Sequence, residues 1–192
     1  MTRPRWFWPV LAATCALQLA IPASMIVRHE RTLRSGESFR FEVAPVDPVD
    51  ALRGRYVALG FPSSITTVAL GSPDLAPGGR GYAPIEVGLD GLARFGRLSG
   101  DAPATGPYLE VRVEAVDAAT GEAGIALPFD RFYTDEDEAQ AADRVYAERA
   151  GSGRSWALVR ILDGHAVLTD VVVDGRPLRE LAREIGAGAG VD

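Results

Sequence analysis

Lysine is missing from all 192 residues, so arginine supplies every one of the 20 basic side chains. That absence removes Schiff-base chemistry, a Ser–Lys dyad and the lysine of a phosphate-binding loop. Cysteine occurs once, at Cys15. An intramolecular disulfide and a cysteine-based zinc site are therefore excluded. Cys15 lies in an apolar run, and Leu11 to Thr14 put Thr where a lipoprotein signal carries Ala or Gly, so it reads as an inert thiol. Histidine occurs only at His29 and His165, in no metal-ligand spacing. There is no Gly-x-Ser-x-Gly elbow to give His165, with Asp163 or Asp170, a serine nucleophile. Gly151-Ser152-Gly153 reads as a flexible link. No cofactor is expected from these residues. The missing lysine, with heavy Ala and Gly use, points to a GC-rich bacterial genome.

What is present is ordinary for a globular chain: 47% hydrophobic and 24% charged residues. The longest feature is Trp6 to Val27, 22 residues without a formal charge. As a helix it measures roughly 33 Å, matching a hydrocarbon core of about 30 Å. Trp6 and Trp8 mark one end, where aromatic rings favour the headgroup region. The run is long for a cleaved signal, and the Ala-x-Ala pattern is broken by Ile21 before Ala23. Residues 6–27 are therefore expected to be a transmembrane anchor, with 1–5 a short flank and 28–36 a juxtamembrane linker. The flanking arginines, Arg3 and Arg5 against Arg28, Arg31 and Arg34, barely discriminate orientation. The short amino flank favours a signal anchor: bacterial inner membrane, single pass, domain on the extracytoplasmic side.

Beyond the anchor, 18 Arg face 26 acids, a formal −8. Such a domain repels nucleic acid and anionic headgroups, so neither is an expected partner. Alternation in Phe39-Arg40-Phe41-Glu42-Val43 predicts a half-buried strand, as does Leu109, Val111 and Val113 against Glu110, Arg112 and Glu114. Further strands are expected over 55–61, 65–70, 85–89, 93–98, 156–162 and 165–173. Asp90-Gly91 and Asp163-Gly164 mark hairpin turns, and 71–81, 100–107 and 117–124 read as loops or turns. Thr134 to Ala150 has helical spacing with a capping-box variant at Thr134 and Asp137. The acids Asp135 to Glu138 in its first turn meet the macrodipole rather than a cation. Arg176 to Ile185 is expected to be a short helix with Pro177 in its first turn, followed by a frayed tail over 186–192. The fold class is thus β-rich α+β. It comprises an N-terminal transmembrane helix and one mainly antiparallel barrel- or sandwich-like domain over 37–185, with eight or nine strands and one or two helices.

The most distinctive stretch joins a turn to a strand: Asp47-Pro48-Val49-Asp50-Ala51-Leu52-Arg53-Gly54-Arg55-Tyr56-Val57-Ala58-Leu59-Gly60-Phe61. Pro48 fixes φ, and the Asp side chains accept turn N–H groups. Arg53 pairs with an acid across the bend, and Gly54 permits close backbone approach. Tyr56 and Ala58 face one way and Val57, Leu59 and Phe61 the other, as in a strand packed on both sides. This stretch resembles the GDYXXLXY protein family. Gly54, Tyr56 and Leu59 match directly, while Arg55 stands for the named Asp and Phe61 for the final Tyr. Leu127 to Tyr133, with Glu138, and the region Trp156 to Gly175 are similar to later blocks of that family. The resemblance implies a bacterial membrane accessory protein, often associated with a polytopic membrane protein, and supplies no reaction. Two functions follow as expectations. One is a non-enzymatic accessory or binding module. The other is a carboxylate-dependent hydrolase or cation-binding enzyme centred on Asp47 and Asp50.

Overall fold

The uncharged run coils into α1 (Phe7–Ser35), and the helix does not stop where the run stops. The structure, a computed structural model, describes residues 6–44, 56–133, 146 and 155–188. Every side chain from Trp8 to Arg31 is solvent-exposed, although the residues to Val27 are uncharged and, apart from Thr14, Gln18 and Ser24, apolar. This helix is long and apolar enough to cross a membrane. Residues 28–35 hold no Gly or Pro, and they carry the helix two further turns. Those turns dock on the domain: Thr32 is buried, and Leu33 is half-buried. Gly36 ends the helix with its N–H on the Thr32 carbonyl at 2.9 Å. A Cβ on Gly36 would lie 2.5 Å from that oxygen and 3.1 Å from the Ile161 carbonyl oxygen, so the sharp exit needs glycine.

The chain then enters β1 (Glu37–Glu42), whose Phe39 and Phe41 point inward and Arg40 and Glu42 outward. It pairs antiparallel with β9 (Trp156–Leu162), which pairs with β10 (His165–Val173), and that in turn with β11 (Arg176–Pro177). Both tight turns of this sheet are Asp-Gly pairs in the left-handed region: Asp163 and Gly164 at φ 50° and 78°, Asp174 and Gly175 at 52° and 81°. Two such residues match the right-handed twist of the strands they join. A bulge between Leu168 and Asp170 interrupts β10, and Thr169 Oγ1 there donates to the Leu158 carbonyl at 2.9 Å.

A second sheet has the order β3-β7-β6-β4-β5. Its members are β3 (Thr67–Ala69), β4 (Arg80–Val87), β5 (Ala93–Phe95), β6 (Tyr108–Asp117) and β7 (Glu122–Ala126). Its two edges meet. Just past β5, the Leu98 N–H donates to the Ala69 carbonyl at 2.9 Å, and the Leu98 carbonyl accepts from Gly71 at 2.7 Å. The five antiparallel strands therefore form a nearly closed barrel, which removes exposed edges. The first sheet joins it where the Glu110 N–H meets the Gly164 carbonyl at 2.9 Å. A two-stranded ribbon of β2 (Tyr56–Ala58) and β8 (Arg131–Tyr133) completes the β structure of the described residues. One core is shared by all of it, with Phe41, Val57, Leu98, Leu109, Ile125, Val159 and Leu178 fully enclosed.

The β-rich α+β reading holds, and several elements differ in detail. The strand expected over 65–70 opens as a helical turn, α2 (Ser63–Thr66), because the Ile65 and Thr66 N–H groups both bond the Pro62 carbonyl. The expected loop 71–81 is shorter, since β4 begins at Arg80 to pair with Arg112. β7 was not expected. Its Ala and Gly give it little strand propensity, and it forms because β6 and β3 flank it. The strand expected over 55–61 is shorter: β2 is three residues long and, among the described residues, pairs with β8. Pro177 closes the β10–β11 pair instead of entering a helix, and α3 (Leu178–Gly188) follows it, three residues beyond the expected end at 185. The helix expected over 134–150 lies outside the described residues apart from Tyr146, which is helical.

Candidate functional site

Asp47, Pro48, Asp50, Arg53 and Gly54 lie outside the described residues. The far end of that motif is visible. Tyr56 sits in β2 opposite Tyr133, Val57 opposite Phe132 and Ala58 opposite Arg131. The Leu59 N–H then donates to the Asp130 carbonyl at 2.9 Å. Two stretches singled out separately in the sequence, 47–61 and 127–133, are therefore hydrogen-bonded partners. Leu59 is buried, and the Phe61 ring meets Phe129 edge-on at 5.5 Å. Phe129 lies 5.3 Å from Phe41, which stacks on Phe95 at 5.1 Å. The motif strand thus caps an aromatic cluster that reaches into both sheets.

Tyr146 pins the same place. Its hydroxyl donates to the Ala44 carbonyl at 2.8 Å. Ala44 is itself bridged to Gly60, whose carbonyl accepts from the Ala44 N–H at 2.9 Å. Burial pushes the Tyr146 phenol up to about 12, against a smaller opposite effect from the Gly60 backbone. This phenol is a structural donor, not an acid for chemistry near neutral pH. Leu59 lies in the core and Phe61 packs against it.

A second region gathers the polar chemistry that the sequence leaves scattered. Where α1 docks, three adjoining hollows of about 570, 550 and 430 Å³ follow the join between helix and domain. His165, the first residue of β10, borders all three. His29 on α1 faces it with ring centroids 6.4 Å apart, edge to face. Arg28 borders all three as well, and Arg80 and Arg112 come from β4 and β6. Arg80 Nη1 pairs with Glu110 Oε1 at 3.3 Å, and Arg31 Nη2 with Asp163 Oδ2 at 3.7 Å. Both pairs are largely exposed and contribute little stability. The His165 Nε2 is buried and makes no hydrogen bond among the described residues. Burial, followed by the charges of Arg28 and His29, holds the His165 imidazole below its ordinary value, with Glu110 pulling the other way.

Sequence spacing gave no sign of this gathering. His29 and His165 are far apart in the chain, Arg80 sat in an apparent loop, and Arg112 was one polar position of an alternating strand. Among the described residues, no three His, Cys, Asp or Glu side chains are placed to hold a metal ion. The family model described as GDYXXLXY protein matches residues 18–171. Neither a curated protein nor a solved structure matches the chain.

Proposed function

This chain belongs to the GDYXXLXY protein family, and from that premise we propose that it is a membrane-anchored accessory protein, a non-enzymatic binding module serving a membrane-protein partner. One observation carries the reading. The apolar helix passes without a break into the domain and buries Thr32 there. A domain joined in this way has a defined orientation to the bilayer, whereas a loose tether would let it tumble. Fixed orientation serves contact with something in the same membrane, and it offers little to a module that meets freely diffusing substrates.

The anchor is residues 6–27, inserted once in a bacterial inner membrane with the amino end cytoplasmic and the domain over 37–185 outside. Alkaline carbonate extraction should leave the full-length chain in the pellet. Protease added to spheroplasts should degrade the domain. Release by carbonate would remove the anchor, and protection of the domain beside a cleaved external control would reverse the topology. For the partner, capture of the intact chain from mildly solubilised membranes should return a stoichiometric integral membrane protein. A monomer that recovers none, under conditions where a known membrane complex survives, would overturn the accessory role.

A further inference from the structure

The cleft along the α1–domain join changes chemistry along its length. Ser24, Met25 and Ile26 form one wall, in the last turns of the uncharged run. Immediately beyond Val27, Arg28 and His29 face His165, and the cleft then opens between Arg28, Arg80 and Arg112. In the anchored reading, Val27 marks the edge of the hydrocarbon and Arg28 the headgroup level. A hollow that is apolar on the hydrocarbon side and cationic at the headgroup level has the polarity of a phospholipid molecule.

The charges favour an anionic lipid over a zwitterionic one. Glu30, Glu110 and Asp163 are the carboxylates bordering the cationic part, and they are engaged by Arg34, Arg80 and Arg31. Arg28 and Arg112 have no carboxylate partner among the described residues, and the buried His165 Nε2 is without a hydrogen bond there. Two unpaired guanidinium groups and an imidazole match a phosphate that carries net charge, with no free acid left for a headgroup amine. The domain's overall −8 does not oppose this, because charges more than about 8 Å away are screened at physiological salt while those lining the cleft are not.

We propose that the cleft between α1 and the β9–β10 turn binds one anionic phospholipid, its phosphate held by Arg28, Arg112 and His165 and its acyl chain laid along Met25 and Ile26. The proposal rests on α1 being a membrane anchor. The test uses full-length protein, first shown to resist carbonate extraction and then purified in neutral maltoside detergent. Native mass spectrometry follows retention of dioleoyl phosphatidylglycerol, dioleoyl phosphatidylcholine and inorganic phosphate. One phosphatidylglycerol per chain should be retained, about tenfold or more tighter than phosphatidylcholine. Arg28→Gln and Arg112→Gln should each erase that preference. Arg97→Gln, which alters an arginine outside the cleft, should leave it intact, and matched thermal melts identify any variant that has merely lost its fold. Equal retention of the two lipids, or equal loss in all three variants, overturns the site. Phosphate binding as tightly as phosphatidylglycerol makes it a free-anion site and overturns the lipid. Release of the chain by carbonate removes the anchor and the proposal with it, whereas a carbonate-resistant chain without lipid preference removes the proposal alone.

Discussion

Gly164 and Gly175 occupy the same position in two equivalent turns, at φ 78° and 81°, yet they have different surroundings. A Cβ on Gly164 would lie 2.7 Å from Tyr108 Cε2, whereas one on Gly175 would meet nothing within 4 Å. Gly175→Ala should therefore cost only the backbone term, about 1 kcal/mol. Gly164→Ala should cost distinctly more, about 2–4 kcal/mol, because Tyr108 must also move. Chemical denaturation of the two variants side by side checks the order, and equal losses would show that Tyr108 yields freely. The turn at Asp163-Gly164 was legible in the sequence because its requirement is local. What it sets beside α1 was not. His165 is faced by Arg28 and His29 from α1, by Glu110 and Arg112 from β6 and by Arg80 from β4. Its imidazole is held below the ordinary 6.5. The folded chain thus binds fewer protons at this site than the unfolded chain, so stability should fall as pH drops below about 6.5 and keep falling until the folded-state value is passed. Melts at pH 7.5 and 5.5 should converge in His165→Gln relative to the parent; an unchanged gap would assign the acid sensitivity to other groups.

Among the elements, β1 and β6 were readable because alternation with one buried face is strict in both. β2 and β3 were read as strands but drawn too long, over 55–61 and 65–70, since three residues carry too little period to fix their ends. β7 depended wholly on its neighbours. The motif strand was legible as apolar but not as half of a ribbon, because its partner β8 lies over seventy residues downstream and is no longer than itself. The ribbon's stability then comes from what lies beneath it. Phe41 is fully buried and packs against both Phe95 and Phe129. Phe41→Ala should cost about 3–5 kcal/mol as a cavity in the shared core. Tyr146→Phe keeps the ring and removes only the donor to the Ala44 carbonyl, so it should cost about 1–2 kcal/mol. A Tyr146→Phe loss as large as that of Phe41→Ala would mean that the phenol organises the motif strand beyond its one hydrogen bond. Urea titrations followed by tryptophan fluorescence, with Trp156 in β9 as a probe inside the fold, compare the two.

At the scale of the whole molecule, the decisive feature is that helix and domain share a boundary in space but not in the chain. Composition placed the edge of the anchor at Val27, and charge made 28–36 look like a connector. Folding makes residues 28–35 the end of one element and part of the packing of another: Thr32 is 1% exposed, Leu33 is half-buried and Gly36 accepts from Arg160 at 3.4 Å through its carbonyl. Hydropathy along the chain reports affinity for lipid and is blind to a docking face two turns long. A truncation beginning at residue 28 should therefore be a more stable fragment than one beginning at 37, although the longer fragment gains no strand. Removing the contacts of Thr32 and Leu33 should cost about 1–2 kcal/mol, from the apolar area that they cover. For a domain of this size that lowers Tm by roughly 2–8 °C. The exposed pair of Arg31 with Asp163 adds little, so raising the salt concentration should leave most of the difference in place. Calorimetry of the two fragments at low and high salt measures both effects. Coincident melting curves would return 28–36 to the status of a linker. A gap that closes in salt would assign the docking to charge, in place of the burial of Thr32 and Leu33.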